Sequence, residues 1–223
     1  MIFSNNVLLQ YGQVSLSQSE QTFTQPTLSA NGTLGSSTFA VSAQYKTSTS
    51  YDAWHAFDNN NNTYWCTNPS ASSTFTFFST TALKVTKIVA KCSGTAYLIG
   101  SCTVQGSSNN SSWTTITSSI STSSTTQTIT LTNSSFYKYY RLTLTASSYL
   151  AIIQFNITAK YQTSVANSII YPLSFSDTNY GCCFSYVGAG SPSAYVSSKT
   201  TTGLTLKSVD TSSSSASWLA TGY

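Results

Sequence analysis

Tyr51-Asp52-Ala53-Trp54-His55-Ala56-Phe57-Asp58-Asn59-Asn60-Asn61-Asn62-Thr63-Tyr64-Trp65 is the stretch that decides how this chain reads. Elsewhere the sequence is mostly Ser, Thr and scattered β-formers. Here large aromatics, the only histidine and Asp58 crowd together. Phe57, Tyr64 and Trp65 read as core. Between them stand Asp58 and four asparagines ending in Thr63. Asparagine tolerates the left-handed conformation and hydrogen-bonds its own backbone, so the run reads as a tight compound turn. Two roles are open to Asp58. It can cap its own loop. With the turn's carbonyls it can also hold a hard cation such as calcium, which takes oxygen ligands.

Outward from this turn the pattern is one of short strands. Phe39 to Ala43, Ser73 to Phe78, Val85 to Lys91 and Gln127 to Leu131 alternate apolar with polar residues. Ala96 to Gln105, Trp113 to Ile116, Tyr139 to Thr145 and Leu150 to Lys160 are also strand-like, with Ser107 to Ser112 as a turn. Strands at this spacing without a helical period predict an all-β sandwich. Before it, Val7 to Leu16 reads as a strand with a bulge at Gly12. Gln18 to Gly35, polar and carrying Pro26, reads as a crossing between domains. After it, Ile169 to Phe175 reads as an edge strand because of Pro172. Tyr180 to Val187, Ala194 to Val196, Gly203 to Leu206 and Ala216 to Tyr223 follow, with a turn at Gly188 to Pro192.

Apolar residues make up 40% of the 223, enough for one or two cores. Charged residues are only 6%, against a usual share of about a quarter. Ser, Thr, Asn and Gln therefore wet the surface, a pattern that suits extracellular and virion β-proteins. The net charge of +4 is scattered, without a basic run, which argues against nucleic acid as partner. No apolar run is long enough for a membrane-spanning helix, so no membrane insertion is expected. Cys66, Cys92, Cys102, Cys182 and Cys183 show no C-x-x-C spacing. They read as free thiols, with a Cys92–Cys102 bridge as the alternative. His55 has no Ser or Cys elbow nearby. Glu20, Asp52, Asp58, Asp177 and Asp210 are isolated, whereas glycoside cleavage needs two placed carboxylates. An enzyme is not expected.

Ala56-Phe57-Asp58-Asn59-Asn60-Asn61-Asn62-Thr63-Tyr64-Trp65 resembles the "A-F-D-G-N-x-x-T-x-W" signature of discoidin, or coagulation-factor type C, domains. Galactose-binding-like carbohydrate-binding modules share it. Asn59 stands where the family usually has Gly. Further matches follow in the family's order. Val104-Gln105-Gly106-Ser107-Ser108-Asn109-Asn110-Ser111-Ser112-Trp113 resembles "V-Q-G-S-N-D-G-S-S-W". Tyr137-Lys138-Tyr139-Tyr140-Arg141-Leu142 resembles "Y-R-Y-Y-R-L", and Ile152-Ile153-Gln154-Phe155-Asn156-Ile157 sits where the closing strand reads "I-x-E-F-x-I". The resemblance covers roughly residues 33–161. It implies a discoidin-like β-sandwich, or jelly roll, that binds glycan on loops at one end. By position the ligand candidates are Trp54, His55, Trp65, Tyr97 and Tyr149. Each has a plainer role: Trp65 in the core, Trp54 and His55 packed beside the turn, Tyr97 and Tyr149 on strand surface. The resemblance also implies a structural calcium site on the carbonyls of Ala56 and Asn60, the Asp58 carboxylate, the Thr63 hydroxyl and a closing-strand acid. Here that acid is replaced by Gln154, which removes one negative charge and predicts weak binding.

The ending Trp218-Leu219-Ala220-Thr221-Gly222-Tyr223 resembles the "W-I-A-I-G-Y" terminus of phage tail-fibre tip domains. So do Tyr171-Pro172-Leu173-Ser174-Phe175 ("Y-P-I-A-F") and Thr200-Thr201-Thr202-Gly203-Leu204-Thr205-Leu206 ("T-T-T-G-F-T-V"). In that family "L-I-Q-W-G" lies shortly before the Y-P motif; here its counterpart is Leu8-Leu9-Gln10-Tyr11-Gly12. The expected organisation is a discoidin-like domain (33–161) inserted into a small β-sandwich tip domain (1–21 with 164–223). Such a chain is expected to be a homotrimeric receptor-binding protein with other tail proteins and a bacterial surface polysaccharide as partners. It would be made in the host cytoplasm and carried on the virion. The absence of a secretory signal pattern at the N-terminus fits release by lysis, or a processed precursor. The alternative is a cellular or secreted carbohydrate-binding module.

Overall fold

Rings and hydroxyls alternating along the chain produce strands throughout the computed structural model, which describes residues 3–4, 7–15, 18–164, 166–187, 194–208 and 215–222. In chain order these are β1 (Phe3–Ser4), β2 (Val7–Ser15), β3 (Gln18–Thr22), β4 (Phe39–Ala43), β5 (Trp65–Cys66), β6 (Ser72–Cys92), β7 (Ile99–Ser107) and β8 (Thr114–Ser123). They continue as β9 (Thr126–Thr132), β10 (Tyr137–Ala146), β11 (Ala151–Ser164), β12 (Ala166–Ile170), β13 (Gly181–Val187), β14 (Ala194–Thr200), β15 (Gly203–Ser208) and β16 (Ser215–Gly222). Among the described residues the helical pieces are short 3-10 turns at Thr49–Tyr51, Ala53–Phe57 and Thr95–Tyr97, and no helix is long and apolar enough to cross a membrane. The chain separates into two compact units: residues 22–161, and residues 1–21 with 162–223.

In the 22–161 unit, β6 is the shared strand of a β-sandwich. Its first half pairs with β4 and β10; its second half pairs with β9 and β11. Strands β10, β7, β8 and β9 join these halves in sequence of pairing. The two stretches Ser73–Phe78 and Val85–Lys91, read above as separate strands, are therefore one. The hydroxyl run between them stays extended, with Thr80 N donating to Thr38 O at 3.1 Å. One extra residue, Thr86, falls between the β11 partners of Val85 and Lys87. This bulge flips the inward phase, from Leu83 and Val85 to Ile88, Ala90 and Cys92. Buried Trp65, Phe57, Phe75 and Phe155 form the centre of the core, with Trp65 and Phe75 centroids 4.9 Å apart and Phe75 and Phe155 5.2 Å apart. Each such side chain contributes about 1.5–3 kcal/mol on burial. The segment 22–35 is more than a crossing: Phe23 and Leu28 pack on this core, and Leu28 N donates to Phe57 O.

In the other unit, one sheet has the order β1-β2-β16-β13 and another the order β12-β15-β14. Val14 lies opposite Ala216 and Leu9 opposite Thr221. Leu8, Ile169, Tyr171, Phe175, Leu204, Leu206 and Trp218 share a second core. Gln10 is buried and clamps the backbone of Leu173, donating to its carbonyl at 2.8 Å and accepting from its N–H at 3.0 Å. Strand β2 pairs through Gly12 without a register shift, so the expected bulge is absent. The glycine serves another purpose: a Cβ there would stand 2.8 Å from the Trp218 ring. The edge strand expected at Ile169–Phe175 ends at Ile170, and the chain leaves extended pairing before Pro172, which cannot donate to a ladder. Tyr223 and the turn at Gly188 to Pro192 lie outside the described residues.

Candidate functional site

The asparagine run is a turn closed by its own side chains. Asn59 adopts φ 55°, the left-handed conformation in which Asn substitutes for Gly. Asp58 organises the turn from within. One carboxylate oxygen accepts from Asn60 N at 2.9 Å. The other accepts from the Thr63 hydroxyl at 2.6 Å and from His55 Nδ1 at 3.0 Å. Both side chains of the His55–Asp58 pair are nearly buried. Thr63 Oγ1 also reaches Asn60 O at 3.1 Å, and Asn60 Oδ1 accepts from Asn62 N at 3.0 Å.

The calcium ligands implied by the family signature map onto this turn. Their chemistry here does not fit that ion. Calcium takes six to eight oxygens and is held by charge, yet Asp58 is the only carboxylate in the set and both its oxygens already accept protein hydrogens. Gln154 directs its amide nitrogen at Phe155 O, 3.3 Å away. Among the described residues, no three His, Cys, Asp or Glu side chains come together as a metal-holding group.

A cleft lies where several loops meet the strand ends. Tyr51 closes the first 3-10 turn, Tyr64 follows the asparagine turn, Tyr97 closes the 3-10 turn after β6, and Tyr149 precedes β11. Tyr51 and Tyr64 pair with centroids 5.0 Å apart; Tyr97 and Tyr149 stack at 4.6 Å and 29°. Both pairs line a hollow of about 130 Å³ together with Thr47, Asn68 and Ser93. Main-chain bonds fix the loops: Thr47 N donates to Cys66 O at 2.9 Å, Ser93 N to Ala151 O at 2.9 Å, and Thr67 N to Leu150 O at 3.0 Å. The Thr47 hydroxyl adds bonds to the carbonyls of Cys66 and Asn68. No charged side chain lines the hollow. The neighbouring Tyr97 hydroxyl pushes the Tyr149 phenol up to about 12, and the Tyr51 hydroxyl raises Tyr64. All of this presents neutral phenol, hydroxyl and amide groups around ring faces.

Of the expected ligand residues, Tyr97 and Tyr149 come together in this cleft. Trp54 and His55 do not line it; they stack on each other at 3.8 Å beside the asparagine turn. Trp65 is wholly buried, and its Nε1 donates to Tyr45 O at 2.9 Å. Tyr64, read above as core, is half-buried and lines the cleft instead; Tyr51, Thr47 and Asn68 were not legible as site residues. A larger hollow of about 370 Å³ in the same unit is lined by Phe23, Pro26, Phe39, Tyr161 and hydroxyl residues. Its ring pair, Phe23 and Phe39 with centroids 6.0 Å apart, packs on the core.

A β-sandwich that carries an aromatic cleft on loops at one end defines the class. The chain belongs to the F5/8 type C domain family, whose model matches residues 36–155, more than half of its length. No curated protein matches it. Solved structures similar to it include CpGH89CBM32-5 from Clostridium perfringens in complex with GalNAc-β-1,3-galactose, at 16% identity, covering 54% of this chain and 94% of that one, with a TM-score of 0.47. Chitosan-binding module 1 of a chitosanase/glucanase from Paenibacillus sp. IK-5 is similar at 20% identity, 54% and 94% coverage and TM-score 0.46. The family 32 module of Clostridium perfringens NanJ in complex with galactose is similar at 18% identity, 54% and 93% coverage and TM-score 0.46.

Proposed function

We propose that the 22–161 unit binds a neutral glycan in the tyrosine cleft. The observation that carries this reading is the pair of ring pairs, Tyr51–Tyr64 and Tyr97–Tyr149, around an uncharged hollow rimmed by hydroxyls and an amide. Sugar rings offer C–H faces to aromatic rings and hydroxyls to neutral donors and acceptors. A sugar acid would find no cation in this cleft to pair with. On the fibre-tip resemblance of residues 8–12, 171–175, 200–206 and 218–223, the whole chain is a phage receptor-binding protein. It presents the cleft to a bacterial surface polysaccharide as a homotrimer, alongside other tail proteins. Support for that part is the sequence resemblance and the pairing of β2 with β16, which joins the two ends of the chain in one unit.

The test is a glycan array of neutral and anionic bacterial polysaccharides, probed with the full chain and with its Tyr97→Ala variant. Retention on neutral glycans that the variant loses is the expected outcome. Binding confined to anionic glycans, or no binding, overturns the reading.

A further inference from the structure

Lys91 on β6 stands directly opposite Gln154 on β11. Directly opposed residues of an antiparallel pair project from the same face and lie within side-chain reach. Gln154 occupies the position where the family signature has its closing acid. The Lys91 ammonium extends to the asparagine turn, where it donates to Asn61 Oδ1 at 2.9 Å. At one place, therefore, an amide stands where the signature has an acid, and a lysine across from it reaches the turn. Inside the turn, His55, Asn60 and Thr63 supply hydrogens to Asp58. A divalent cation entering there would have to strip those bonds from Asp58 and would meet the Lys91 ammonium at Asn61.

We infer that the protein's own groups replace the divalent cation in this turn. Lys91 ties Asn61 to the sheet, the His55–Asp58–Thr63 cluster closes the loop, and the turn is built without metal. This holds whatever ligand the tyrosine cleft takes.

The test is the melting temperature of the full chain in chelator and in millimolar calcium chloride. The two should coincide. A calcium site filled well above its Kd would raise the value by roughly 5–10 °C, and such a rise overturns the inference. The converse experiment restores the acid and removes the lysine, as Gln154→Glu with Lys91→Met. This variant should acquire a calcium-dependent rise in melting temperature. A folded double variant that stays indifferent to calcium also overturns the inference, because Lys91 and Gln154 then do not decide the matter. If the double variant fails to fold, Gln154→Glu alone takes its place, and the wild-type comparison stands by itself. Asp58→Asn should lower the melting temperature equally with and without calcium.

Discussion

Tyr97 and Tyr149, from the loop after β6 and the loop before β11, stack with centroids 4.6 Å apart. Neither ring has a place in the core. Tyr97→Ala removes one wall of the cleft while leaving the 3-10 turn that carries it, whose closing bond is main-chain, Tyr97 N to Gly94 O at 3.1 Å. The expected loss of glycan affinity is about 5- to 30-fold, the range for losing about 1–2 kcal/mol, with an unchanged melting temperature. Titration calorimetry with a glycan found on the array measures the loss. Unaltered affinity would place the ligand elsewhere.

How far the sequence reveals this arrangement depends on what fixes each feature. Phe57 and Trp65 are legible as core because a packed ring within a family signature has one destination, and both are buried. The Asn59 conformation is legible because local backbone preference dictates it. The Tyr51–Tyr64 pair is not. It forms because the asparagine turn reverses the chain, and the distance between two turn flanks cannot be read from their separation in sequence. The single long β6 was hidden for a related reason. Thr80-Thr81-Ala82 carries no apolar alternation; it is tied by Thr80 N to Thr38 O and by pairing on its flanks, Ser79 with Phe39 of β4 and Leu83 with Tyr137 of β10. The Cys92–Cys102 bridge, left open by the sequence, does not form; all five cysteines are free.

Tyr140 provides a test of the sandwich itself. Its ring is fully buried and stacks on Phe77 at 5.1 Å. Its hydroxyl donates to Leu83 O at 2.6 Å and accepts from Val85 N at 3.1 Å and Asn133 Nδ2 at 3.0 Å. Burial raises its pKa well above the usual phenol range. Tyr140→Phe keeps the packing and leaves the Leu83 carbonyl and Val85 N–H without this partner. The expected cost is about 2 kcal/mol, seen as a melting temperature lowered by roughly 4–8 °C. An unchanged melting temperature would show that the hydroxyl is dispensable.

Cys92 and Cys102 make stability fall at alkaline pH. Burial pushes the Cys92 thiol up to about 11 and the Cys102 thiol up to about 12, from an ordinary value of 9.0. In the unfolded chain both lose their protons near that ordinary value. Above it the unfolded state binds fewer protons than the folded state, so the unfolding free energy decreases as pH rises. The contribution is complete below about pH 9 and lost through the interval up to about pH 12. Melting temperatures of the wild type and a Cys92→Ala, Cys102→Ala variant, compared across that interval, separate this effect from the titration of Lys and Tyr. The wild type should fall more steeply. Parallel curves would contradict it.

The last prediction concerns the unit formed by residues 1–21 and 162–223. Tyr11 is 71% exposed and lies directly opposite Leu219, which is also exposed and in turn opposite exposed Cys183. This row crosses three strands, with Gln13, Ser217 and Ser185 in the neighbouring row. Ile170 and Tyr195 of the same unit are exposed as well. A small unit with little core of its own gains stability by burying such surface against copies of itself. On the homotrimer proposed above, light scattering at micromolar concentration should give three times the chain mass. Tyr11→Lys with Leu219→Lys places two charges in the middle of the row and should yield monomers, since a desolvated unpaired charge is costly. The tyrosine cleft lies in the other unit, so each monomer should keep its intrinsic affinity for a monovalent glycan and lose only the avidity of multivalent display. A wild type that is monomeric, or a double variant that remains trimeric, would remove this face from the assembly.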